Sequence, residues 1–422
     1  MTKSLNRTEA PPIQQAKLPE ISLGDDSNVE SRLISIPVNE PVSRIDLVFN
    51  TGSLHQNKKL SLTAVKSLLF SGTDSKTEEQ IINELDSLGA YYGTDSESNT
   101  LTVSLYSTPE LVKEAFTLFL NAILNASFPD DKIALFKTKQ KAQLSQNLKK
   151  PSYLCNKRLK ELFFETPIFK NSLSTNAIES LDKETIRNFH KHIINSGCLA
   201  YICSSNLDVD WLKTEISDNV PQGTKAIIHK PDYTEKYPLH QHVHYPSAVQ
   251  TALKGKVTCI GKKHKDYPLV LLANILYGGY FGSLLMQNIR EEKGLTYGIH
   301  TSLKSKADYS TLNIGSDIKS HTIDVVLTEI KKEHHNLITG NFSLEVFEKT
   351  KSFTLGLIAQ SCDDLFSNLE KTQLIHNQNI GNEYYTHLFN SIATATKDDL
   401  VKAAKNHIHI QNALFVTCGP EQ

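Results

Sequence analysis

Arg290 and Tyr297 are the residues whose types and spacing most directly suggest chemistry. They lie in residues 278–298, GGYFGSLLMQNIREEKGLTYG. The run SLLMQNIREEK has helical spacing and stops at Gly294, a residue type suited to a helix C-terminus. A β-type run, LTYGIHTSL, follows at once. The pattern therefore predicts Arg290 in the last turn of a helix and Tyr297 near the start of the next strand, free to converge. Such a pair aimed at a groove suits a peptide. The guanidinium grips a carbonyl or carboxylate, and the phenol donates one more hydrogen bond. Spacing alone equally fits a helix-end ion pair beside a half-buried strand tyrosine.

Other groups invite chemistry and carry plainer explanations. His240, His242 and His244 alternate, so in a strand all three share a side and could hold a metal. No carboxylate or Cys accompanies them, and a solvated strand edge is the preferred interpretation. Gly278, Gly279 and Gly282 could cradle a phosphate, but no Lys-Ser/Thr follows and the loop succeeds a helix rather than a strand. A glycine-permitted close approach fits better. No GxSxG signature accompanies the 16 His and six Cys. Trp211 stands alone on a helix, where core or interface packing is the default.

The elements that must position these residues can be traced along the chain. Its 422 residues exceed one compact core, so at least two domains are expected. Apolar content of 39 %, charged content of 22 % and a net charge of −1 are globular values. They offer no basic stripe for nucleic acid. No apolar leader segment and no run of about 18 apolar residues is seen, so neither a signal peptide nor a membrane helix is expected. The six cysteines are dispersed without CxxC, which suits reduced thiols in a cytoplasmic protein.

Residues 1–30 are polar with three prolines, and an extended arm is expected there. Residues 31–218 alternate strand-type and helix-type runs. Among them is LSLTAVKSLLF (60–70), which stops at Ser71-Gly72. Residues 219–240 are rich in proline and charge, as a linker is. Residues 241–422 then repeat the pattern. LLFSG at 68–72 matches ILYGG at 275–279, about 207 residues on. FKTK (136–139) matches EKTK (348–351), KHI (191–193) matches NHI (406–408), and AYICSS matches LFVTCG, setting Cys203 opposite Cys418. Four matches in one order indicate two copies of one unit.

This two-copy layout and the string NIREEKGLTYG resemble the M16 (insulinase or pitrilysin-like) zinc peptidase family, most closely its short-chain processing-peptidase branch. The resemblance covers the chain from about residue 30. Its R-E-x-x-G-L-x-Y motif is filled at every fixed position, from Arg290 to Tyr297. It implies an α+β fold of two tandem homologous units, each an antiparallel sheet flanked by helices. It also implies that Arg290 and Tyr297 bind the peptide, with Gly278 and Gly279 lining the chamber beside them.

Active members carry HxxEH on the first helix of the first copy. Two His one turn apart bind Zn²⁺, and the Glu activates water. Aligned on LLFSGT, those positions here are Thr63, Lys66 and Ser67. The further acidic ligand is expected near Ala142 and Gln143, yet no Asp or Glu occurs between Asp131 and Glu161. His55, at the head of His-Gln-Asn-Lys-Lys, has no acid beside it. Neutral hydroxyls ligate zinc poorly, and an ammonium between them repels it. The expectation is therefore a non-catalytic subunit that binds no metal. It would contribute Arg290 and Tyr297 to a heterodimer whose HxxEH-bearing partner carries zinc, with peptide as substrate and neither nucleic acid nor membrane involved. The alternative is a catalytically dead scaffold subunit of a larger complex.

Overall fold

The computed structural model describes residues 32–420, except 39, 206–207, 224–229, 235–238 and 307–308. The expected N-terminal arm, residues 1–30, and parts of the expected linker lie outside the described residues.

Two five-stranded sheets organise the chain. The first contains β1 (Leu33–Pro37), β2 (Ser43–Phe49), β3 (Tyr91–Ser96), β4 (Leu101–Ser107) and β5 (Cys198–Ser204). The second contains β6 (His240–His244), β7 (Thr251–Thr258), β8 (Thr296–Ser305), β9 (Ser310–Ile318) and β10 (Leu414–Gly419). Their strand orders, β1-β5-β2-β4-β3 and β6-β10-β7-β9-β8, correspond position for position. The sequence repeat is therefore a repeat of topology. One detail departs from the expected antiparallel sheet. The edge strands β1 and β6 run parallel to β5 and β10, and the other pairs are antiparallel. A long crossover separates each edge strand from its neighbour, which leaves parallel pairing open to it.

Each sheet buries one face under its own helices. In β2, Ile45, Leu47 and Phe49 join a core with the helices Ser61–Leu68 and Val112–Leu124. In the second unit Leu253 and Val257 do the same beneath the helices Tyr267–Asn274 and Ile323–Thr339. The opposite faces are covered reciprocally. Helix Pro151–Phe163 follows β4 in sequence yet packs Cys155, Leu159 and Phe163 onto Ala252, Leu414, Val416 and Cys418 of the second sheet. Helix Ser367–Gln378 returns the arrangement, setting Leu369 on Ile34, Ile36, Val48, Tyr201 and Cys203 of the first. Each unit thus lends one helix to the other's sheet. Cys203 and Cys418 lie beneath these exchanged helices at equivalent points.

Candidate functional site

Helix Ser61–Leu68 buries Leu62, Ala64, Val65 and Leu68 against the first core, which leaves the opposite face to Thr63, Lys66 and Ser67. Thr63 and Ser67 are exposed one turn apart, and Lys66 between them donates to Ser96 Oγ at 3.0 Å. Ala142 and Gln143 are exposed on helix Asp130–Leu148, where Gln143 donates to Asn147. His55 accepts the Gly52 N–H through Nδ1 at 3.0 Å, in a turn ahead of the helix. The backbone that would present a zinc set is intact, but its side chains are two hydroxyls and an ammonium. These residues do not fit a zinc ion.

The corresponding region of the second unit is irregular. The helix beginning at Tyr267 widens into π-helical winding over Ile275–Gly279, and a second π segment spans Met286–Glu292. Such segments are rare and concentrate at functional sites. Gly278 is needed for contact. A Cβ there would lie 2.7 Å from Thr301 Cγ2, so only glycine lets the helix end sit against β8. Thr301 also donates to the Asn274 carbonyl at 3.1 Å. Gly294, with φ of +60°, ends the second π segment, as its residue type indicates.

A β-bulge follows. β8 slips register against β9 between Thr296 and Ile299, so Tyr297 and Gly298 together face Asp317. The bulge is fastened by the Thr296 hydroxyl, which donates to Asp317 O at 2.6 Å, and by Ser316 Oγ, which donates to Gly298 O at 2.9 Å. Its effect is to throw Tyr297 outward, 88 % exposed at the edge of the sheet. The Arg290 guanidinium packs over the Phe281 ring, 4.4 Å from its centre.

Phe281, Gly278 and Gly279 line one wall of a cavity of about 360 Å³, and Gly298, Ile299 and His300 line the other, with Lys254 and Asp317 between. Neither Arg290 nor Tyr297 lines the cavity itself; Arg290 packs on its Phe281, and Tyr297 precedes its Gly298 in the chain. Among the described residues, no hydrogen bond, ion pair or ring contact joins the two side chains, so a common partner would have to bridge them.

The π segment that carries Arg290 is tethered from beneath. Asn288 donates to Glu329 Oε2 at 2.8 Å and to Glu333. Both acids are buried in helix Ile323–Thr339. Lys293 adds an ion pair to Glu329 at 3.3 Å. Burial alone would raise the Glu329 carboxyl, but Asn288 and the lysines hold it below the usual range. Asn288→Leu removes donors from two buried carboxylates and is expected to cost about 1–3 kcal/mol in chemical denaturation. A depressed folded-state value gives stability that is present above the unfolded carboxyl value of about 4.3 and lost as pH falls through the folded value. The acid-side slope of stability should therefore be shallower in Asn288→Leu than in wild type.

The remaining candidates serve packing. β6 is an edge strand, and His240 Nε2 and His242 Nδ1 both contact Thr417 Oγ1 at 2.9 Å. Trp211 stacks edge-on against Phe116 at 5.8 Å. All six cysteines are free, and burial raises the thiols of Cys155, Cys198, Cys203 and Cys418. Sequence inspection missed one cluster. His264, Asp266 and His407 offer ligand atoms within 4.8 Å of one another, brought together by the Asp266–His407 pair at 2.9 Å. They are 141 residues apart at the extremes of the pair, so no local spacing announces them.

No helix among the described residues is long and apolar enough to cross a membrane. The family described as Insulinase (Peptidase family M16) matches residues 33–176, and the one described as Peptidase M16 inactive domain matches residues 180–353. The chain is 23 % identical over 413 residues to a protein of Helicobacter pylori named non-peptidase homolog YmxG, covering 96 % of this chain and 92 % of that one. A Pseudomonas fluorescens structure described as a peptidase M16 inactive domain superposes with a TM-score of 0.82 at 19 % identity, over 92 % of this chain and 96 % of that one. A chain of complex III₂ from Candida albicans superposes with a TM-score of 0.69 at 16 % identity, over 92 % and 94 %. With two adjoining family matches spanning well over half of its length and both sheets built to one plan, this chain is a member of the M16 peptidase family.

Proposed function

We propose that this protein is a non-peptidase M16 homologue that acts as the substrate-binding subunit of a heteromeric metallopeptidase. It grips peptide through Arg290 and Tyr297 while a partner chain with an intact HxxEH supplies the zinc site. One contrast carries this reading. The zinc helix has lost its ligands without losing its shape, whereas the complete R-E-x-x-G-L-x-Y string is held in a π segment, a fastened bulge and a cavity. A peptide lying along the free edge of β8 could extend the sheet by strand addition, passing Tyr297 and the cavity whose Phe281 carries Arg290. The name of the Helicobacter pylori relative agrees with the loss of stand-alone activity.

The test is reconstitution. The purified chain alone should contain no stoichiometric zinc and cleave no peptide. Mixed with an HxxEH-bearing homologue from the same cell, it should form a complex that cleaves peptides which neither chain cleaves alone. Zinc and activity in the isolated chain would overturn the reading. A second reading, a scaffold subunit with no substrate, is favoured by the likeness to a chain of complex III₂. It requires that peptides do not bind to the Arg290 region.

A further inference from the structure

The face of the second sheet turned away from its own core carries an unusual row of cations. Lys254 and Lys256 are two apart on β7 and so point the same way. Across β9 they meet Gly315 and Asn313, and beyond these, on β8, lie His300 and Ser302, with Lys304 two residues further along. Gly315 makes room for the row. A Cβ there would lie 2.8 Å from the His300 ring and 3.1 Å from Lys254 Nζ. Helix Pro151–Phe163, lent by the first unit, closes one side of this face. It sets Phe163 under the Lys256 ammonium at 5.7 Å, and its Lys160 is close enough to act on the charge of Lys256.

The cations are not matched by acids. Lys256 donates to the Asn313 amide oxygen rather than to a carboxylate. Among the described residues, Lys160, Lys254 and Lys304 have no ion pair. Asp317, at the end of β9, is the one carboxylate lining the cavity with Lys254 and His300. Glu97, which reaches the seam from the first unit, is engaged by Lys306 at 3.4 Å. The chain as a whole has a net charge of −1, so an excess of lysine does not explain the row. Solvated lysines on a sheet face are ordinary, but this face is half covered. Burial, then Lys304 and Lys160, pull the Lys256 ammonium down to about 7. Ammoniums crowded on a covered face without acids weaken the free protein, and an anionic ligand relieves them.

We propose that Lys254, Lys256, His300 and Lys304, with Lys160 facing them from the first unit, bind acidic side chains of the peptide, so that the protein selects carboxylate-bearing segments. This rests on the peptide-binding reading above and adds its substrate class. The row and the Arg290–Phe281 wall share one cavity through Lys254 and His300. A strand added at the edge of β8 would run directly beside His300 and Lys304, and Lys254 reaches towards it over Gly315.

Fluorescence anisotropy with the full chain tests this, using three labelled unstructured peptides of equal length that are rich in Glu, in Gln and Ser, or in Lys. The Glu peptide should bind at least about tenfold tighter than the neutral one, with the Lys peptide weakest and the preference shrinking with added salt. Lys304→Gln should remove most of that preference while leaving the neutral peptide unchanged, Lys254→Gln should weaken the Glu peptide more than the neutral one, and Lys304→Glu should favour the Lys peptide. Calorimetry of the Glu peptide in two buffers near pH 7.5 should show proton uptake, because a bound carboxylate raises the Lys256 ammonium. Equal binding of all three peptides, weakened by Arg290→Ala, overturns this proposal and leaves the peptide reading standing. Binding of none overturns both. Tighter capture of a single-stranded oligonucleotide than of the Glu peptide overturns the acidic-peptide assignment.

Discussion

Arg44→Ala is expected to destabilise the protein by about 3–5 kcal/mol and to loosen one unit from the other. Arg44 lies on β2 with its side chain 10 % exposed, and it holds Asp46, whose side chain is 0 % exposed, through two hydrogen bonds of 3.0 and 2.9 Å. Three further contacts come from the lent helix and its approach. Gln373 donates to Asp46 Oδ2 at 2.6 Å, Glu370 accepts from Arg44 at 2.9 Å, and Phe366 faces the guanidinium at 5.3 Å. Tyr106 of β4 lies at the same 5.3 Å. Burial works against the Arg44 charge, but Asp46 and then Glu370 hold it firmly in the charged form. Removing the guanidinium leaves a fully buried carboxylate without its counter-charge. The exposed Glu370 contact contributes little by itself. The double variant Arg44→Met/Asp46→Leu should recover most of the loss in urea denaturation, because the single variant's cost is chiefly the orphaned charge. Equal destabilisation by the single and the double would show instead that the pair itself fastens the units.

The same strand shows where sequence reading reaches its limit. SRIDLVF alternates as a half-buried strand should, and the Ile45, Leu47 and Phe49 face is the core face. The alternation places Arg44 and Asp46 on the polar side, which ordinarily means solvent. All seven residues are nevertheless buried, because a helix more than 300 residues distant covers that side. Nothing local to β2 encodes such a cover, and the exchange of helices Pro151–Phe163 and Ser367–Gln378 was equally silent. The repeat, by contrast, was legible, since three of its matched pairs fall on helices or helix ends, and the fourth falls on β5 and β10, which hold the same place in two sheets of identical order.

At the site, the residue types and Gly294 gave away a helix end followed by a strand. The π winding and the bulge did not show. Both insert residues into regular ladders, and the fastening groups, Thr296 and Ser316, are ordinary strand residues until paired. Without the bulge, Arg290 and Tyr297 could be imagined converging. With it, Tyr297 stands exposed at the sheet edge while Arg290 packs on Phe281. The same lesson holds for the lysine row, whose members are scattered over residues 160–304 and become neighbours only through strand register and the lent helix.

In the reconstituted complex, Arg290→Ala should lower kcat/KM for peptide cleavage by about 10²–10³-fold, the usual cost of losing one preorganised donor to a reacting carbonyl. Co-elution with the partner should be unchanged. The guanidinium lies over the Phe281 ring, 4.4 Å from its centre, and is carried by a π segment that Asn288 fixes to helix Ile323–Thr339. Its position is therefore set before peptide arrives, and little ordering remains to oppose binding. Arg290→Lys should rescue poorly, because an ammonium lacks the planar fork that both stacks on the ring and donates in parallel. Phe281→Ala should impair the complex by removing the platform while leaving the charge in place. Tyr297→Phe should cost less, about 0.5–1.5 kcal/mol, for one neutral hydrogen bond from a residue that is 88 % exposed in the free chain. A scaffold subunit would respond to none of these four changes. The graded order Arg290→Ala, Phe281→Ala, Tyr297→Phe therefore separates a peptide clamp from a structural remnant more sharply than the loss of activity in any one variant.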